Sequence, residues 1–164
     1  MQELTLAKTA AWLKECEDAY ILIHRSPDGD CIGAGYALAE MLHQLGKRAV
    51  VLCNDEIPKR YQFMLPEEDG TAAHFEPQCI IAVDVADAKL LGSSVQEHYG
   101  SRVDLCIDHH VSNVPYAKAR LLDVRHRRRV RSLSAEPHPS GENDRSYGAV
   151  PVYRHGNGYR LFSV

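Results

Sequence analysis

The sequence predicts an α/β fold, a parallel sheet with helices on both faces. Short apolar runs without polar alternation recur at 20–24, 49–53, 79–84 and 103–108, as expected of strands buried on both faces. Between them lie stretches whose apolar residues fall at helical spacing. Three of the runs end in histidine and aspartate, at the carboxyl ends of strands where such sheets place their sites.

Taken in order, residues 4–18 carry Leu4, Leu6, Ala7, Ala10, Ala11, Leu13 and Cys16 near helical spacing, so a helix opens the chain. The run Tyr20-Ile21-Leu22-Ile23-His24 is the first strand, and Ser26-Pro27-Asp28-Gly29-Asp30 breaks it into a loop. Helical spacing returns from Cys31 to Leu45, with Gly46 as the expected C-terminal cap. Residues 49–53 are the next strand, and 54–78 are loop-rich with a short helix near 60–64. A strand at 79–84, a helix at 87–98 and a strand at 103–108 follow, the last running into His109-His110. Residues 111–118 are loop, and 119–123 start another strand.

The 164 residues suffice for one domain with its own core, and 45% hydrophobic with 25% charged residues is ordinary for a globular chain. No apolar run approaches the length of a bilayer span. The first twenty residues are amphipathic and partly acidic with no cleavage site, so the expected location is the cytoplasm, with no membrane partner. Five scattered cysteines without a Cys-x-x-Cys pair argue against a zinc ribbon or redox motif. Cys53, Cys79 and Cys106, in apolar runs, are expected as small buried hydrophobes.

The net charge of −3 hides a division. Residues 1–123 carry 11 Lys+Arg against 19 Asp+Glu, whereas residues 124–164 carry 8 Arg, no Lys and 3 acids. The expected organisation is therefore a domain over 1–123 and an Arg-rich, poorly ordered tail over 124–164.

His24, Asp28 and Asp30 sit within seven residues, with Gly29 expected to let the two carboxylates converge. Converging carboxylates repel unless a cation lies between them. Mixed imidazole and carboxylate donors suit Mn²⁺, Fe²⁺ or Co²⁺ better than an all-oxygen Mg²⁺ site. Asp84 has two oxygens and is placed to bridge two ions; a pair about 3.5–4 Å apart would activate water and neutralise a phosphoryl group. Alone, a Pro-Asp-Gly-Asp turn is an ordinary turn and a His-His pair an ordinary surface feature; their conjunction at strand ends points to a metal site.

The elements His24-Arg25-Ser26-Pro27-Asp28-Gly29-Asp30, Val83-Asp84 and Asp108-His109-His110 resemble the first three motifs of the DHH phosphoesterase superfamily, over about residues 5–123. The continuation IDHHVSNVPYAKARLLD is most similar to the branch of bifunctional oligoribonucleases and pAp (adenosine 3′,5′-bisphosphate) phosphatases. The resemblance implies a DHH-type N-terminal domain and hydrolysis of short oligonucleotides or pAp by a hydroxide activated between two Mn²⁺ ions, with Mg²⁺ or Co²⁺ as substitutes. It implies that His24 and Asp28 hold the first metal, Asp30 and His109 the second, and that Asp84 bridges them. His110 would face the scissile phosphate as electrostatic partner or proton donor, and Asp108 would orient the histidines. The implied partner is the oligonucleotide or phosphorylated nucleotide; a homodimer is left open.

The superfamily pattern also has a fourth motif, an Asp-Thr-Gly-type turn, and a C-terminal substrate-gripping domain; neither is legible after Asp123. The expectation is an incomplete sheet with an exposed edge, marginal stability and weak or no hydrolysis. Arg125, Arg127, Arg128, Arg129 and Arg131 would be the contacts if the tail bound nucleic acid. The lysine-free bias favours a frameshift instead. Residues 125–132, back-translated and read one base later, can give Ala-Thr-Ala-Ala-Ala-Ser-Ala, and 156–163 can give Ala-Thr-Asp-Thr-Gly-Cys-Phe. The competing readings are a non-catalytic truncated remnant that binds metal or a partner, and, among enzymes, a pyrophosphatase or polyphosphatase, a cyclic-dinucleotide phosphodiesterase or a single-strand DNA exonuclease. A response-regulator-like domain fits the sheet but leaves His24, His109 and His110 unexplained.

Overall fold

In the computed structural model, residues 1–66, 75–124, 154–155 and 158–159 are described. The expectations for the tail fall outside them, apart from two short antiparallel strands at Arg154–His155 and Gly158–Tyr159.

Five of the strands are those expected from the apolar runs: β2 (Asp18–Leu22), β3 (Arg48–Leu52), β4 (Cys79–Val83), β5 (Leu105–Asp108) and β6 (Ala119–Leu122). A sixth, β1 (Gln2–Glu3), was not expected: two polar residues carry no apolar signature. All neighbours are parallel, in the order β1-β6-β5-β4-β2-β3. β2 and β4 lie inside the sheet and are buried along almost their whole length, which is why they read as continuous apolar runs. β1 pairs along β6 through Gln2 and Glu3, so the edge expected to lie bare is partly covered by the chain's own start.

Helices α1 (Leu6–Glu15) and α2 (Gly29–Gln44) cover one face of the sheet, where Leu13, Ala39 and Leu42 meet Ile21, Ile81, Val83 and Leu105. On the other face, α3 (Ser93–Tyr99) brings Val95 and Tyr99 against Tyr20, Leu22, Ile80 and Cys106. The fold class expected from sequence is therefore observed. The expected helix at 87–98 is two pieces, a 3-10 turn at Ala88–Leu91 and α3, parted by Gly92 at φ +84°. A side chain at Gly92 would collide with Asn54, its Cβ falling 2.5 Å from the amide carbon. Gly46, at φ +76°, follows the end of α2 as expected.

The short helix near 60–64 is a 3-10 helix over Lys59–Met64. Its Tyr61 and Met64 pack with Ile23, just after β2, and with Cys31 and Ile32 at the start of α2. Cys53, which follows β3, and Cys79, the first residue of β4, are half-buried rather than fully buried, because they lie at the margins of the sheet; all five cysteines are free thiols. Among the described residues no helix is long and apolar enough to cross a membrane.

The chain leaves β2 for β3 on one side, then returns across β2 to β4 on the other. Connections diverge at that point, opening a crevice between the carboxyl ends of β2 and β4. The segments 24–30 and 84–86 emerge on its two sides.

Candidate metal centre

On the β2 side, the turn is made by Ser26, at φ +53°, and not by Gly29. Asp55 holds that turn, its Oδ2 accepting the Ser26 N–H at 2.9 Å. Gly29 is the first residue of α2, and a Cβ there would lie 3.3 Å from the Tyr61 ring, a tight contact that would press on the ring. Asp28 is the N-cap of α2, its Oδ1 accepting from the N–H groups of Asp30 (3.0 Å) and Cys31 (3.2 Å). Asp30 therefore lies in the first helical turn and not in a loop.

His24 Nδ1 donates to the carbonyl of Arg25 at 2.8 Å, which leaves Nε2 as the lone-pair nitrogen. That Nε2 lies 3.8 Å from Asp28 Oδ1. Cys31 Sγ completes this group, with the three donor atoms mutually within 4.8 Å. Burial pushes the Cys31 thiol up to about 12, so it stays protonated at neutral pH.

On the β4 side, Asp84 follows the strand in the left-handed region at φ +59°, where a residue with a side chain is strained. Its N–H is held by the Ile107 carbonyl at 2.9 Å. The carboxyl group is buried. Loss of solvation, with Asp30 adding repulsion, pushes it up to about 6, while His110 and His109 partly oppose this.

β5 delivers Asp108, almost wholly buried, and the two histidines after it. Asp108 Oδ1 accepts from His109 N–H (2.7 Å), His110 N–H (3.2 Å) and His110 Nδ1 (2.7 Å). His110 Nδ1 thus spends its proton on Asp108, and Asp84 Oδ1, 3.4 Å away, goes without it. His109 Nε2 lies 3.5 Å from Asp84 Oδ1 and 3.7 Å from Asp30 Oδ2, and neither contact is a hydrogen bond. Asp84 Oδ1 and His109 Nε2 are therefore buried polar atoms without hydrogen-bond partners.

Orphaned atoms of this kind, facing each other, fit a cation. Two donors each about 2.0–2.2 Å from one ion lie at most about 4.4 Å apart, and the 3.4–3.8 Å separations fall within that limit. The donors form two groups, His24 with Asp28 and Cys31, and Asp84 with His109 and His110. Asp30 stands beside the second, so the two carboxylates of the turn do not converge but face different histidines.

All seven residues expected at the site lie at or just beyond the carboxyl ends of β2, β4 and β5. Sequence reasoning passed over Cys31 and Asn113. Cys31 directly follows Asp30, but a lone cysteine opening a helix reads as core. Asn113 lay in a segment read as plain loop; its Nδ2 is 2.6 Å from Asp108 Oδ2.

The profile of the DHH family, N-terminal domain, matches residues 18–130, a span that includes all seven. A solved structure similar to this chain is that of an exopolyphosphatase-related protein from Bacteroides fragilis. The similarity has a TM-score of 0.61 at 21% identity over 71% of this chain. The chain spans 37% of that protein's length, and the likeness shows the shared fold.

Proposed function

As a member of the DHH family, this chain is, we propose, a metal-dependent phosphoesterase whose described residues supply the metal-binding side of the active site. The observation that carries the reading is the buried, unpaired facing of Asp84 Oδ1 and His109 Nε2 at the mouth of the β2–β4 crevice. A protein gains nothing in stability from such a pair unless a ligand completes it.

His24 through Nε2 and Asp28 would hold one divalent cation, Asp30 and His109 a second, with Asp84 shared between them. When bound, such a pair polarises a phosphoryl oxygen and acidifies the attacking water. Imidazole and carboxylate donors together favour Mn²⁺ or Co²⁺ over Mg²⁺.

The chain's own residues supply the rest. The Arg25 carbonyl fixes the His24 ring with Nε2 free, and Asp108 does the same for His110. His110 Nε2 is then the nitrogen available to a phosphate ester, as a hydrogen-bond donor when protonated. The buried Asp108 carboxylate lies against the other ring nitrogen, Nδ1, at 2.7 Å. The proposed substrates are short oligonucleotides or pAp.

The test is release of phosphate from pAp, and of nucleotides from a short oligoribonucleotide, with Mn²⁺ and with EDTA. Mn²⁺-dependent hydrolysis that Asp84→Asn abolishes is expected. Equal rates for wild type and Asp84→Asn would overturn the reading.

A further inference from the structure

Behind the metal centre runs a chain of hydrogen bonds from the first strand to the histidines. Asn113 Nδ2 donates to Asp108 Oδ2 at 2.6 Å, with the Val85 carbonyl at 3.4 Å and Cys106 Sγ at 3.5 Å. Asn113 Oδ1 accepts from Arg120 Nη1 at 2.8 Å. A guanidinium only donates and an ionised carboxylate only accepts, so the amide has one orientation that satisfies both. Arg120 is itself held by Glu3 of β1, which accepts from its Nε.

The same loop grips the turn that carries Asp84. Tyr116 donates its hydroxyl to the Val85 carbonyl at 2.7 Å, and Val114 N–H donates to the Ala86 carbonyl at 2.8 Å. A left-handed aspartate persists only where its surroundings over-determine it, and these bonds do so. The segment 111–118 is thus a clamp joining the ends of β4 and β5.

We propose that Asn113, locked by Arg120, is a positioning residue for the metal centre. It fixes Asp108 and, through Asp108, the His110 imidazole and the His109 backbone, and it ties both to the turn at Asp84. Glu3 extends the lock to β1, so the start of the chain supports the site from the far edge of the sheet. The inference rests on the metal-centre reading above, but its first readout needs no metal.

The test compares the full 164-residue chain with Asn113→Asp, Arg120→Met and Arg120→Lys. Asn113→Asp sets a carboxylate oxygen against Asp108 with no change of shape. Arg120→Met leaves Asp108 and Asn113 in place but frees the amide, and stays informative if the first variant unfolds. Long-range ¹H–¹⁵N spectra of the metal-free proteins report which His110 nitrogen carries the proton.

The wild type is expected to show a single Nδ1–H form. Asn113→Asp is expected to lose it and to bind Mn²⁺ about 10- to 100-fold more weakly. Arg120→Met should move both readouts the same way by less, and Arg120→Lys should restore part of the loss. Folded Asn113→Asp and Arg120→Met variants with wild-type His110 signals and unchanged Mn²⁺ affinity would overturn the proposal. A wild type that takes up no Mn²⁺ would defeat the phosphoesterase reading instead, and the metal-free spectra would still decide the role of Asn113.

Discussion

Asp84→Asn should make the metal-free protein more stable at neutral pH while removing its stabilisation by Mn²⁺. The carboxyl group titrates at about 6 in the folded chain, against an ordinary value of 3.8, because it is buried beside Asp30. Between those two values the folded state holds a proton that the unfolded state has released. Stability therefore falls as pH rises through that window, and the loss is complete above about 6. The interval corresponds to about 3 kcal/mol, an order-of-magnitude figure that applies because the side chain is only 8% exposed. Asparagine is uncharged and accepts the left-handed backbone as aspartate does, so the substitution removes the penalty without disturbing the turn. The assay is urea unfolding in EDTA at pH 4 and pH 7, where the advantage of the variant should grow by about 2–2.5 kcal/mol, since the unfolded carboxyl group is already partly ionised at pH 4. With Mn²⁺ at about a hundred times its dissociation constant, the wild type should gain about 2.7 kcal/mol and the variant little. An advantage that does not change with pH would refute the assignment of the penalty to Asp84. Equal stabilisation of both proteins by Mn²⁺ would refute its role as a metal donor.

Asp28 both caps α2 and stands beside His24, and two variants separate these roles. In EDTA, Asp28→Ala should lose about 0.5–2 kcal/mol and Asp28→Ser much less, while both lose stabilisation by Mn²⁺ in thermal melts. Asp108→Ala leaves the donors of His109, His110 and Asn113 without their acceptor, and urea unfolding should show a loss of at least about 2–3 kcal/mol. Cys31, buried and with its thiol pushed up to about 12, should resist iodoacetamide at pH 8 in the folded protein and react once urea is added; mass spectrometry of the peptides reads this out.

The interior strands were legible because burial on both faces writes a continuous apolar run, as in β2 and β4. β1 was not, because its pairing to β6 is made by the backbones of Gln2 and Glu3 and needs no apolar side chain. The site residues were legible as a set because they end three strands of one sheet. Their local conformations were not: Asp28 became a helix cap, Asp30 a helical residue, and Ser26 rather than Gly29 took the left-handed turn. Each of those outcomes depends on a partner distant in sequence, such as Asp55 for Ser26 and Tyr61 for Gly29. The clamp over 111–118 was hidden for the same reason, since its bonds reach Val85, Ala86 and Arg120.

The claim that these residues form a metal centre is tested most directly by anomalous diffraction from crystals of the chain grown with Mn²⁺. The account predicts manganese peaks at the carboxyl ends of β2 and β4, one against His24 Nε2 and Asp28 and one against His109 Nε2 and Asp30, with Asp84 contacting both. A well-occupied map with no peak at His24 or His109, or manganese bound only elsewhere, would contradict it.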